Sequence, residues 1–116
     1  VTALDISLGV ERLVQLAQRS ACGPSGLAPK ILLASPPHPQ PVGELSEMFL
    51  GVQEKFPALA HYYQAVAGRN HCAFIDTSPV VSPDPADGLH LSSQSHEVLG
   101  RLFAAHVRKV FDADSL

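Results

Sequence analysis

Two short apolar runs decide what this chain can become. Lys30–Ser35 reads KILLAS and His71–Asp76 reads HCAFID. Neither alternates polar with apolar residues, so neither suits a strand with one wet face. Both suit strands covered on both faces, as in a parallel sheet. The segments around them follow a different period. Thr2–Ser20 sets Ile6, Val10, Leu13, Val14 and Ala17 on one helical face. Thr2 followed by Asp5 resembles a capping box with a shorter acid than usual. Glu44–Ala67 repeats Leu45, Met48, Phe49, Val52, Phe56, Leu59, Tyr63 and Val66 at threes and fours. Pro57 inside it predicts a kink, or two helices with a break near Phe56. Gly68 and Asn70 read as its C-terminal punctuation. Ser92–Phe111 is a third helix, with Ser92 as N-cap and Val98, Leu99, Leu102 and Val110 as its inward stripe.

The order is therefore helix-strand-helix-strand-helix, an α/β pattern with a parallel sheet and crossover helices. Two strands alone leave an apolar edge unpaired, which invites association. The pattern fits the C-terminal half of a doubly wound, flavodoxin-like sheet better than a whole domain. The chain has 116 residues, room for one domain at most. It begins at Val1 and enters a helix at once, with no strand before it. Residues 1–116 are accordingly expected to be the C-terminal part of a single domain whose N-terminal part lies elsewhere.

Composition narrows the partners. Net charge is −3 with no basic run, which argues against nucleic acid. Apolar residues make up 46 % and charged ones 16 %, ordinary for a packed domain. No apolar stretch approaches the ~18 residues of a membrane span. Cys22 and Cys72 lack metal-type spacing and are expected to be buried or idle thiols rather than a disulfide. His38, His61, His71, His96 and His106 are scattered without H-x-H or H-x-x-x-H spacing, so no zinc site is expected.

The chemistry concentrates in DGLH, Asp87–His90, a loop that leaves the second strand just ahead of the last helix. In open α/β sheets ligands bind beyond the carboxyl ends of the strands. A carboxylate three residues before a histidine can reach Nδ1–H, fix the tautomer and leave Nε2 to accept a proton. Gly88 permits an unusual backbone angle between them. On spacing alone the same residues also fit a plain turn, with Asp87 closing it and His90 capping a helix.

DGLHLSS followed by an amphipathic helix resembles the closing motif of the SGNH (GDSL) hydrolase family. The resemblance extends upstream and covers most of the chain. VTALDISLGVERLV is similar to the helix after the family's Asn-containing block, KILLASPP to the next strand with its proline-rich exit, and FIDTSPVVS to the last strand. It is closest to the bacterial arylesterase-like branch. The resemblance implies a carboxylic ester hydrolase with a Ser-His-Asp triad, in which His90 is the general base and Asp87 its orienting partner. It implies no cofactor, and small acyl or aryl esters as substrates. Pro36, Pro37 and His38 leave the same sheet end and by the same analogy could wall the substrate pocket. A homo-oligomer is compatible with the family, and a cytoplasmic location is expected.

The family's other functional residues have no counterpart here. No G-D-S-L-like nucleophile block and no oxyanion-hole glycine block are present. GRNH, Gly68–His71, imitates the G-x-N-D block but sits at a helix exit before the last strand, so Asn70 reads as a C-cap or turn residue. Ser25 in GPSG lacks the G-x-S-x-G frame and leads into a strand. Asp76 reads as a cap or a hydrogen-bond acceptor for the Thr77–Val80 loop rather than as a catalytic residue. The nucleophile must come from a half this chain lacks, and the chain alone is expected to be inactive. The competing expectation is an inert half-domain that serves as an interaction module through its open sheet edge. A flavodoxin-like ligand-binding domain is a weaker third, for want of a Gly-rich phosphate loop.

Overall fold

A computed structural model describes residues 1–40, 42–43, 47 and 51–112. Helix α1 spans Ala3–Arg19, strand β1 Leu32–Ser35, helix α2 Val52–Arg69, strand β2 Ala73–Asp76 and helix α3 Ser93–Asp112. The strands pair in parallel, with Leu32 beside Ala73 and Ser35 beside Asp76. The expected α/β order and parallel pairing are thus present. In parallel pairing the crossover must carry the chain back along the sheet, and α2 does so, packing on both strands and on α1.

The helix boundaries follow from local chemistry. Thr2 caps α1: its Oγ1 accepts from the Asp5 peptide N–H at 3.1 Å, and the Asp5 carboxylate accepts from the Thr2 N–H at 2.9 Å. This is the capping box in full, with Asp in the place of the usual Glu. Ser92 caps α3, its Oγ accepting from the Ser95 N–H at 3.1 Å. Helix α2 ends in a Schellman motif. Asn70 is the C-cap, His71 takes the left-handed position at φ 56°, and the Cys72 N–H reaches back to the Ala67 carbonyl at 2.9 Å. Gly68 stays helical, and the left-handed step falls on His71.

Two other expectations are corrected in part. The helix does not break near Phe56: α2 runs through Pro57, and its start is marked by Gly51 at φ 83°. Pro57 stands in the second turn, where only the one bond to the Gln53 carbonyl is lost. The expected start at Glu44, with Leu45, Met48 and Phe49, lies outside the described residues. The buried stripe of α1 is Ala3, Ser7 and Val14, flanked by Val10, while Leu13 is 66 % exposed. Helix α1 packs on α2, and its leucines Leu4, Leu8, Leu13 and Leu16 are left exposed. On α3 Val98 likewise points outward, and Leu99, Leu102 and Val110 are half-buried.

The core lies where α1, α2 and the sheet meet: Val14, Leu59, Val66, Ala67 and Ile75, with Val66 fully buried. A polar clamp ties α1 to the end of α2. Arg69 donates from Nε and Nη2 to the Glu11 carboxylate, Asn70 Nδ2 donates to the same group at 2.7 Å, and Gln18 Nε2 donates to the Asn70 carbonyl. Those bonds, with Asn70 as C-cap, account for Asn70 as a structural residue. Leu4, Leu8, Leu13 and Leu16 on α1 and Val98, Val107 and Phe111 on α3 remain exposed. That is more apolar helix surface than this unit covers by itself.

Candidate active site

The carboxyl ends of β1 and β2 are locked together before any loop leaves them. Ser35 is buried, and its Oγ donates to Asp76 Oδ1 at 3.0 Å across the pair. Thr77, also buried, donates from Oγ1 to the Ser35 carbonyl at 2.7 Å. Asp76 Oδ1 further accepts from the Ser78 N–H and hydroxyl. Burial pushes the Asp76 carboxyl up, but the Ser78 and Ser35 hydrogen bonds, with His38 nearby, outweigh it and hold the group below its ordinary value. Asp76 is thus an acceptor that organises the strand exit.

From this platform residues 77–92 fold into a self-bonded loop. The Thr77 carbonyl accepts from the N–H groups of Val80 and Val81. Asp84 then closes a ring: its N–H donates to the His90 carbonyl at 2.7 Å, its carbonyl accepts from the Gly88 N–H at 2.8 Å, and its carboxylate accepts from the Ala86 N–H. Asp87 sits inside the ring. Its Oδ1 accepts from the peptide N–H groups of Leu89 at 2.8 Å and His90 at 2.9 Å. Its Oδ2 lies 2.5 Å from His90 Nδ1. The two oxygens divide the work, with Oδ1 holding the loop and Oδ2 holding the imidazole.

The electrostatics follow. The Leu89 N–H, then the His90 ring, then the His90 N–H favour the ionised carboxylate and pull Asp87 down to about 2. A carboxylate that fixed makes Nδ1 the protonated nitrogen, so Nε2 is the basic one. The His90 side chain is 80 % exposed. The imidazole therefore faces outward.

Gly88 makes the geometry possible. It adopts φ +68°, and a Cβ there would collide with the Gln40 carbonyl oxygen. The Gln40 N–H donates to the Gly88 carbonyl at 2.7 Å. The proline-rich exit of β1 is thereby a strut for the Asp87–His90 turn. Pro36 and Pro37 line a groove of about 350 Å³ with Pro39, Phe56, Leu89 and Leu91. His38 stands beside it, its ring meeting Phe56 edge-on at 6.2 Å, with Nε2 buried and unpartnered.

Sequence reasoning singled out Asp87 and His90, and they meet. It missed Asp84 and Gln40, which hold the turn shut. Asp84 had a local signal, since Asp-Pro-x-Asp-Gly is turn chemistry. Gln40 had none, because its role is a backbone bond to a residue far along the chain. Ser25 is exposed, at φ 60° in the short 3₁₀ turn Pro24–Gly26, well apart in sequence from this loop. Among the described residues no three His, Cys, Asp or Glu side chains gather as a metal site. No helix among them is long and apolar enough to cross a membrane.

No family model and no curated protein matches the sequence. Solved structures do. The native aryl esterase of M. smegmatis is 36 % identical with a TM-score of 0.81, over 94 % of this chain and 53 % of that one. The carbohydrate acetylesterase Est24 of Sinorhizobium meliloti is 31 % identical with a TM-score of 0.86, over 95 % and 53 %. A second carbohydrate acetylesterase family member from S. meliloti is 33 % identical with a TM-score of 0.81, over 93 % and 52 %. The chain spans about half the length of the structures it matches. With more than 30 % identity to all three over nearly the whole of its length, the chain has the partial fold of an SGNH hydrolase, and a C-terminal half of such a hydrolase fits it.

Proposed function

We propose that the complete protein is a carboxylic ester hydrolase of the arylesterase or lipolytic GDSL type. In it this chain supplies the His90 base and the Asp87 carboxylate of a Ser-His-Asp triad. The observation that carries this reading is the 2.5 Å contact between Asp87 Oδ2 and His90 Nδ1, made in a loop that exposes the other face of the imidazole. The structural relatives support it, being an aryl esterase and carbohydrate acetylesterases. The serine and the oxyanion donors belong to an N-terminal half.

The reaction runs as two transfers. The serine hydroxyl attacks the ester carbonyl carbon as Nε2 of His90 takes its proton. Asp87 steadies the imidazolium through Nδ1–H. His90 returns the proton to the departing alkoxide, leaving an acyl-serine and an alcohol. Water then attacks the acyl-serine and gives its proton to Nε2, and His90 passes that proton to the departing serine oxygen as the acid is released. Small acyl and aryl esters are the substrates, and the chain alone is inactive for lack of a nucleophile. Cys22 and Cys72 stand unpaired, which fits a reducing cytoplasm. A second reading, an inert interaction module, is favoured only by the exposed leucines of α1 and by the single pairing of β1 among the described residues. Both features equally suit docking of an N-terminal half.

The deciding experiment is His90→Ala in the complete protein. Ester turnover falls about 10²–10⁴-fold with the fold intact by circular dichroism. An unchanged rate removes the triad assignment.

A further inference from the structure

The groove beside His90 contains a residue the proton-transfer chemistry does not use. Five of its lining residues belong to segments that leave the strands: Pro36, Pro37, Pro39, Leu89 and Leu91. Phe56 comes instead from α2, the crossover helix. None of these six side chains has a hydrogen-bonding group, so the groove recognises an apolar group. Leu89 and Leu91 flank His90 in the chain, so the groove is walled by the residues on either side of it. A volume of about 350 Å³ is near the low end of ligand pockets, roughly 300–1,000 Å³.

Phe56 is the largest of the lining side chains among the described residues. The prolines have no side-chain freedom to yield space. Phe56 has, but His38 meets its ring edge-on at 6.2 Å and 64°. The buried Nε2 of His38 has no hydrogen-bond partner, and its ring packs against Phe56. Helix α2 is itself anchored through the buried Leu59 and Val66.

We infer that Phe56, buttressed by His38, is a specificity-determining residue: it limits the length of the apolar group an ester can place beside His90. This rests on the ester hydrolase reading above. The test measures kcat/KM in the complete protein for p-nitrophenyl esters from acetate to octanoate and for acetates of alcohols of matching lengths. Phe56→Ala raises the long-to-short ratio about tenfold or more in one of the two series, and Phe56→Trp lowers it, the scale expected for methylene discrimination in an apolar pocket. Should the alanine variant fail to fold, the tryptophan variant decides alone. A His90-dependent rate whose ratios stay within twofold in both series overturns the role of Phe56 only. A rate that His90→Ala leaves unchanged overturns the triad reading, and the role of Phe56 with it.

Discussion

Asp87 Oδ2 stands 2.5 Å from His90 Nδ1, while Asp87 Oδ1 accepts the peptide N–H groups of Leu89 and His90. One carboxylate thus fixes both the loop and the imidazole it carries. Replacing Asp87 by Asn separates the two roles. The amide oxygen can still accept from the two N–H groups, but an NH₂ then faces Nδ1 and forces the proton to Nε2. The expected outcome is an intact fold with kcat lowered about 10²–10⁴-fold, read by ester hydrolysis in the complete protein beside circular dichroism.

Acid titration supplies a second prediction. Asp87 is depressed from its ordinary 3.8 to about 2. A carboxylate lowered by folding contributes stability above its unfolded value and loses it as pH falls through the folded one. The contribution of Asp87 is therefore full above about pH 4 and gone near pH 2. Asp5, Glu11 and Asp76 are shifted in the same direction. The unfolding midpoint should fall steeply between about pH 4 and 2. A carboxyl-carbon NMR titration should place the Asp87 midpoint well below that of a free aspartate.

Two glycines make opposite predictions. Gly88→Ala combines a positive φ with a Cβ that overlaps the Gln40 carbonyl oxygen. The conformational term alone costs about 1–3 kcal/mol, and the overlap forces the Gln40 strut away from the turn. Gly100→Ala meets nothing within 4 Å in the interior of α3. It should stabilise by about 0.5–1 kcal/mol. Urea unfolding midpoints of the two variants check both signs.

The strand-exit lock gives the fourth. Thr77→Val keeps the shape and deletes the hydroxyl that donates to the Ser35 carbonyl at 2.7 Å in a buried setting. The expected loss is about 1–3 kcal/mol, measured by denaturant unfolding. Ester turnover should fall too, because the loop bearing Asp87 and His90 starts at this lock.

The sequence by itself determined the element order, the two parallel strands and the Asp87–His90 pair. Each rests on local chemistry: an apolar run, a helical period, a cap such as Thr2–Asp5 or Ser92, a carboxylate three residues from an imidazole. Tertiary structure decided what depends on a distant neighbour. Which stripe of α1 is covered was settled by packing on α2, which buries Ala3, Ser7 and Val14 and leaves Leu13 in water. That α2 runs through Pro57 was settled by helix packing that outweighs one missing bond. That Gly88 is held by Gln40, and that Phe56 faces a groove beside His90, came from bringing together segments far apart in the chain. Periodicity reports which residues share a face, but only packing says what that face meets.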